Sequence, residues 1–398
     1  MGQGDKDCLV LSAKRTPFGA FGGALRDLKG TDLGVHAAKA ALAAAGVDPT
    51  LVDESIFGNV VQTTPEDVYC ARHIALRAGV PVEVPALTVN RLCGSGFQAA
   101  ITAAQAIALG EAELCLVGGT ESMSLAPHVV RGARWGLAFG KAPPLEDSLW
   151  AALTDTYAGC AMGVTAENVA ALHNIGRQAC DEFALQSQQR WTAAQAAGRF
   201  AAEIVPVEVG QGKKATVVTQ DEHPRPNTQI AALEALRPVF KADGVVTAGN
   251  ASGIADGAAA LVLASRGKCE SLGVQPLAKI HAWASVGVEP KLMGLGPVPA
   301  MMKALSRAGM TFDQMDLIEV NEAFAAQFLA VEKLLDLPRE KTNVDGGAIA
   351  LGHPLGASGA RILAHLVHEL RRRQGRFGIG AACIGGGQGI AVLVETLL

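Results

Sequence analysis

Three side chains in this sequence have the types and settings for covalent chemistry: Cys93, His353 and Cys383. Cys93 lies in Val89-Asn90-Arg91-Leu92-Cys93-Gly94-Ser95-Gly96-Phe97-Gln98. Ala86–Val89 before it reads as a short buried strand, and the alanine-rich run from Phe97 onward reads as a helix. The thiol then sits near a helix N-terminus, where free N–H groups and the macrodipole favour a thiolate. His353 stands in Gly346-Gly347-Ala348-Ile349-Ala350-Leu351-Gly352-His353-Pro354-Leu355-Gly356-Ala357-Ser358-Gly359, and Cys383 in Gly378-Ile379-Gly380-Ala381-Ala382-Cys383-Ile384-Gly385-Gly386-Gly387-Gln388-Gly389. Glycine at this density marks tight turns or close backbone approach to a ligand. Each loop alone is also compatible with a structural turn. Together they form the inventory of a nucleophile, a base and a second thiol.

These loops need elements to bring them together, and an internal repeat supplies them. Leu42-Ala43-Ala44-Ala45-Gly46-Val47, followed by Val52-Asp53, resembles Leu305-Ser306-Arg307-Ala308-Gly309-Met310, followed by Met315-Asp316. The offset of 263 positions also maps Ser95-Gly96 onto Ser358-Gly359. Both stretches read as helix, Ala-Gly turn, strand, glycine loop, helix, which predicts two copies of one α/β unit. A pseudo-dyad would then bring the cysteine and histidine loops together between the halves. Residues 123–253 differ in texture, with Pro143-Pro144, a polar run Gln186–Trp191 and Asp221-Glu222-His223-Pro224-Arg225-Pro226, and they read as an inserted loop domain. The expected organisation is 1–122 with 254–275 as one half, 123–253 as the insertion, and 276–398 as the other half. Ala258–Ala264 reads as a buried strand.

Composition narrows the function classes. The chain has 398 residues, 18% charged and 49% hydrophobic, which predicts large buried surfaces and a subunit interface. A net charge of −4 gives no reason to expect nucleic-acid binding. The run Arg371–Arg373 reads as a helix C-terminus. Eight cysteines without Cys-x-x-Cys spacing argue against a disulfide scaffold or zinc site, and Cys8, Cys70, Cys115, Cys160, Cys180 and Cys269 are assigned to packing. No apolar run is expected to span a membrane. Met1–Asp7 has neither a secretory apolar core nor the arginine pattern of a mitochondrial leader, and Lys6 stands where acylation at Gly2 requires Ser or Thr. The expected compartment is the cytoplasm, with the mitochondrial matrix as the alternative.

From Ala13-Lys14-Arg15-Thr16-Pro17-Phe18-Gly19 to Ile384–Gly389 the chain resembles the thiolase family and, within it, the mitochondrial-type 3-ketoacyl-CoA branch. The most specific pieces are the Cys93 frame, Asn321-Glu322-Ala323-Phe324, Gly352-His353-Pro354 and Cys383-Ile384-Gly385-Gly386-Gly387. The resemblance implies a five-layered α/β/α/β/α core of two similar halves plus a loop domain, in a dimer or a dimer of dimers. It implies that Cys93 takes up the acyl group, that His353 activates it, and that Cys383 moves the α-carbon proton. Asn321 would hold a water that forms, with His353, an oxyanion site, and the N–H groups of Cys93 and Gly385 would form a second. Coenzyme A would be a substrate rather than a tightly bound cofactor, meeting Arg225, Thr228 and Ser252, while Phe240 and Met293 line the pocket. No metal is implied. Ala161, in Tyr157-Ala158-Gly159-Cys160-Ala161-Met162-Gly163, stands where short-chain biosynthetic thiolases carry histidine, which loosens any assignment to acetoacetyl-CoA synthesis.

The implied reaction is reversible: cleavage of a 3-ketoacyl-CoA by CoA through a Cys93 thioester, in fatty-acid β-oxidation. The alternatives are a biosynthetic acetoacetyl-CoA thiolase and a decarboxylating ketoacyl synthase, although the latter use Cys-His-His or Cys-His-Asn rather than a second cysteine. An idle acyl-CoA-binding protein is disfavoured by the presence of every catalytic position. A nicotinamide dehydrogenase is disfavoured because Gly378-x-Gly380-x-x-Cys383 lacks the third glycine and an acidic ribose partner.

Overall fold

A computed structural model describes residues 7–210, 212 and 215–397. The leader and acylation readings fall mainly on residues 1–6, which lie outside the described residues.

The two copies predicted by the repeat are present. Strands Glu54–Gly58 and Leu114–Ser122 begin 263 positions before strands Leu317–Val320 and Phe377–Ile384. The main sheet runs Leu317–Val320, Phe377–Ile384, Gln388–Thr396, Ala278–Gly287, Cys8–Arg15, Ala255–Ser265, Leu114–Ser122, Glu54–Gly58, Ala86–Val89. The order is nearly palindromic about the antiparallel junction of Cys8–Arg15 with Ala278–Gly287. That junction is short, pairing only Cys8, Leu9 and Val10 with Ile280, Lys279 and Ala278. Each half is therefore a sheet in its own right, joined to the other along one edge.

Burial explains the layering. Helices Ser95–Leu109 and Leu355–Arg373 share one apolar core with strand residues of both halves, including Val117, Leu261, Ala382 and Val392. Helices Gly30–Ala45 and Cys70–Arg77 cover the outer face of the first sheet. Helices Pro297–Ala308 and Ala325–Leu335 cover that of the second. The result is five layers with two helices at the centre. Strands Leu114–Ser122 and Ala255–Ser265 are buried along their whole length, as expected of strands covered on both faces. The two central helices meet backbone to backbone. A Cβ on Gly96 would lie 2.4 Å from the Ala360 nitrogen, and one on Gly359 would lie 2.3 Å from the Phe97 nitrogen. Glycine at the repeat-equivalent pair is thus a packing requirement at the join between halves.

Two expectations need correction. Ala86–Val89 is a strand, but an edge strand with Leu87 exposed rather than a buried one. In the second copy the equivalent edge of strand Leu317–Val320 is met only by a single parallel bridge from Ile318 to Thr342, and the residues at the repeat offset form the helical turn Ala348–Leu351. The stretch Leu92–Leu109 does reach membrane-spanning length and apolarity, yet it holds the central helix and is 61% buried inside the molecule. Its apolar character comes from its place between the two sheets, with Gln105 and Leu109 reaching the surface.

The described residues among 123–253 add no strand to the main sheet. Helices Met162–His173 and Arg177–Ala196 lie against the second half, where Phe183 stacks on Phe328 at 4.2 Å. Buried Arg15 ties this segment to the first half through Glu203 (2.7 Å) and Asp221 (2.6 Å). Arg371–Arg373 do end their helix; Arg371 donates to the carbonyls of Leu277 and Leu397, while Arg372 and Arg373 pair with Glu369.

Candidate active site

Cys93 occupies a single helical turn, Leu92–Gly94, that feeds directly into the central helix Ser95–Leu109. Leu92 immediately before it has φ +46, an unfavourable conformation for a branched side chain and one that clusters at functional sites. The turn is held by Asn90, whose Oδ1 accepts from the Leu92 N–H at 3.0 Å, and by Ser95, whose hydroxyl accepts from the Arg91 N–H at 2.9 Å. The backbone N–H groups of Gly385 and of Cys93 itself lie beside the sulfur and favour its anion. The glycine loop that carries Cys383 thus reaches the nucleophile through Gly385.

The thiol is not held as a thiolate, contrary to the helix-terminus expectation. Burial pushes it up to about 11, the N–H donors of Gly385 and Cys93 offset only part of that, and the Glu121 carboxylate raises it further. No cation contributes, and N–H dipoles alone do not compensate a buried anion.

His353 follows Gly352, whose φ of +91 and close contact with Ala255 require glycine. Its backbone N–H donates to the Gly253 carbonyl at 2.8 Å. The imidazole Nδ1 lies 2.6 Å from the Ser358 hydroxyl, which itself donates to the Pro354 carbonyl at 2.9 Å. One hydroxyl proton cannot serve both, so Nδ1–H donates to Ser358 and Nε2 carries the lone pair. Asn321 Nδ2 donates to that Nε2 at 3.3 Å. Burial, reinforced by Arg361, pushes the imidazole down to about 3, so it is neutral across the physiological range. Asn321 is fully buried after strand Leu317–Val320, and its Oδ1 has no protein partner. A buried unsatisfied carbonyl oxygen of this kind suits an ordered water.

Cys383 ends strand Phe377–Ile384, fully buried beside Met293 and Ala323. Burial and the nearby Cys93 raise its thiol far above the ordinary range. All eight cysteines are free; Cys8, Cys70, Cys115, Cys180 and Cys269 are buried packing residues, while Cys160 is only partly buried.

A largely apolar cavity of about 200 Å³ has Cys93, His353, Ser252, Phe240, Met293 and Phe324 in its wall, while Cys383, Asn321 and Gly385 lie behind that wall. Ala161 lines it too, with Met162, Leu153 and Trp150. Arg225 and Thr228 are elsewhere, in a neighbouring, more polar cavity of about 440 Å³ with His223 and Gln188. The two cavities share one wall: Ala248 and Gly249 border the second, Ala251 to Gly253 the first. Sequence reasoning missed the role of Ser358 in orienting His353, although the repeat had singled the residue out. It also missed Glu121, a lone acid at the end of the apolar run Leu114–Gly119.

A chain with this fold and this cysteine–histidine–cysteine arrangement fits the acyl-transferring class that works through an enzyme thioester. Residues 8–267 match the model of the thiolase N-terminal domain, and residues 274–396 that of the thiolase C-terminal domain. The chain belongs to the thiolase family. It is 56% identical over 387 residues to the human mitochondrial 3-ketoacyl-CoA thiolase, covering 97% of this chain and 98% of that protein. The crystal structure of the human enzyme in complex with CoA superposes with a TM-score of 0.96, covering 98% of each chain. An acetyl-CoA acetyltransferase of Chromobacterium violaceum is 50% identical over 97% of this chain and 98% of its own length.

Proposed function

We propose that this chain cleaves 3-ketoacyl-CoA with CoA to acetyl-CoA and an acyl-CoA shortened by two carbons, as a β-oxidation thiolase. One observation carries the assignment of roles: Cys93, beside the Gly385 N–H, shares an apolar cavity with a histidine whose Nδ1 is committed to Ser358 and whose basic atom is therefore Nε2.

The steps follow from the protonation states. Cys93 Sγ attacks C3 of the ketoacyl group while His353 Nε2 takes the thiol proton, so no resting ion pair is needed. The C3 alkoxide is met by the N–H groups of Cys93 and Gly385. Its collapse breaks the C2–C3 bond and leaves the acyl group as a Cys93 thioester. The electron pair departs as the enolate of acetyl-CoA, whose oxygen faces His353 and an Asn321-held water. Cys383, kept as a thiol by burial, donates its proton to C2. Incoming CoA then loses its thiol proton to Cys383 and attacks the thioester; the C–Sγ bond breaks, His353 returns its proton to the Cys93 sulfur, and the shortened acyl-CoA leaves. In the reverse direction a buried Cys383 thiolate is a strong base for the acetyl methyl.

CoA is a substrate in this scheme, and nothing in it calls for a bound cofactor. The human relative binds CoA. In this reading Ser252 meets the pantetheine near the reacting carbon and Arg225 with Thr228 the nucleotide end, a division supported by their lying in two cavities on either side of the Ala248–Gly253 segment. The insertion 123–253 then acts as the CoA-binding domain on halves formed by 1–122 with 254–275 and by 276–398, in a homodimer or dimer of dimers. Ala161 in the acyl cavity favours degradation over acetoacetyl-CoA synthesis, because it leaves apolar room where a histidine would stand. Relatives include a mitochondrial and a bacterial enzyme, so the reaction suits either the matrix or a bacterial cytoplasm. Steady-state rates on 3-ketoacyl-CoAs of increasing chain length test the assignment: CoA-dependent cleavage beyond four carbons supports it, and activity confined to acetoacetyl-CoA overturns it.

A further inference from the structure

Glu121 ends strand Leu114–Ser122 with no exposed surface, and all of its hydrogen-bond partners are neutral N–H donors. Oε1 accepts from Asn59 Nδ2 (3.2 Å) and from the Val61 N–H (3.0 Å). The Val60 N–H lies 3.2 Å from Oε2 and 3.4 Å from Oε1. Oε2 also accepts from the Gly356 N–H at 2.8 Å. Burial pushes the carboxyl up to about 8 against the pull of these donors, but with N–H groups on both oxygens a carboxyl proton would have no acceptor, so the geometry fits the ionised form. An acid kept here without a cation is costly, so its geometry invites a specific explanation.

The donors come from the two loops that must meet. Val60 and Val61 belong to the turn beneath the nucleophile. The Val60 carbonyl accepts from Asn90 Nδ2 at 3.2 Å, Asn90 fixes the Leu92 N–H, and Val60 and Cys93 both pack against the cluster of Val61, Met123, Leu149 and Leu355. Gly356 lies in the first turn of helix Leu355–Arg373, three residues past His353 and two before Ser358. That N–H has no partner within its own helix, so the carboxylate completes the helix start. The approach leaves no slack: a Cβ on Gly356 would lie 2.6 Å from the Thr120 carbonyl oxygen, and one on Gly119 would lie 1.9 Å from the Gly356 oxygen.

We propose that Glu121 is a positioning residue which, by accepting from Val60, Val61 and Gly356 at once, sets the spacing of Cys93 and His353 across the two halves. The inference rests on the thiolase reading of the site. A misplacement near 1 Å can cost a reaction of this kind about a hundredfold. Glu121→Gln keeps the shape but turns one acceptor into a donor facing N–H groups.

The test uses the full-length enzyme and three readouts: thermal melting, kcat and KM for 3-ketoacyl-CoA cleavage, and alkylation of Cys93 by iodoacetamide followed by mass spectrometry. Parent activity is measured first, since its absence would defeat the thiolase reading itself. With an active parent, E121Q is expected to melt cooperatively, to lose about tenfold or more in kcat, to hold KM within about threefold, and to alkylate at Cys93 at a changed rate. Parental kcat and alkylation in a folded E121Q overturn the proposal while leaving the thiolase reading intact. A fall in kcat matched by an equal rise in KM also overturns it. If E121Q does not fold, E121D is read instead; it keeps the charge but withdraws it by one methylene, and a parental kcat in that variant overturns the proposal.

Discussion

His353 and Ser358 form one unit: the imidazole Nδ1 donates to a hydroxyl 2.6 Å away that is itself committed to the Pro354 carbonyl at 2.9 Å. This leaves Nε2 as the basic atom facing the cavity, because a serine on the next helical turn fixes the tautomer. Ser358→Ala removes that constraint and leaves a buried N–H unpaired, at about 1–3 kcal/mol of stability. We expect kcat to fall about tenfold or more with KM little changed, part of the ~100-fold or more that a positioned base provides. Unchanged kcat in a folded S358A would remove Ser358 from the account.

The free thiol should titrate high. With Cys93 near 11 and His353 near 3, the resting pair is neutral, since the N–H groups of Gly385 and Cys93 offset burial only in part and no cation stands by the sulfur. Alkylation of Cys93 by iodoacetamide should therefore rise steadily from pH 6 to pH 10. A plateau across neutral pH would show a preformed thiolate–imidazolium pair and contradict a neutral resting Cys93 and His353.

Cys383→Ser tests the division of labour between the thiols. The alcohol titrates several units higher than a thiol and is a poor base and acid at carbon. Deuterium wash-in at the acetyl methyl of acetyl-CoA should be lost while acetyl-enzyme still forms. Normal wash-in would mean that another group, His353 among them, moves the proton.

Away from the cavity, His365 gives a stability prediction. Burial lowers its imidazole, but Glu203, 3.1 Å from Nδ1, together with Glu319 and Asp345 outweighs burial and raises it to about 9. In the unfolded chain it titrates near 6.5. The native state thus holds the extra proton between those values, so its stabilisation is complete below about 6.5 and is lost as pH rises through 9. Urea midpoints should fall between pH 6 and pH 8 by the equivalent of about 1–2 kcal/mol. His365→Gln should be less stable and flatten that slope. An equally steep slope in the variant would place the titration elsewhere.

Much of this was legible from residue order. The repeat predicted the halves because helix, turn, strand and glycine loop recur at one spacing, and the register survived to the residue in Leu114–Ser122 and Phe377–Ile384. The loops at 93, 353 and 383 were visible because glycine and proline constrain backbone wherever they stand. Electrostatics was not legible. Helix-terminus position alone suggests a lowered thiol at Cys93, but desolvation decides the direction, and desolvation depends on residues hundreds of positions away. Glu121 was invisible for the same reason, since its donors lie 60 and 235 positions distant. Ala86–Val89 reads as buried from its residues because a short apolar run does not reveal which strand ends at a sheet edge.

The central claim is that Cys93, and no other thiol, carries the acyl group. Incubation with acetyl-CoA, acid quench and peptide mass spectrometry should place one acetyl group on the peptide containing Cys93 in the parent and in Cys383→Ser. Cys93→Ala should fold, bear no acetyl group and be inactive. Acetyl on Cys383, or turnover by C93A, would contradict the account.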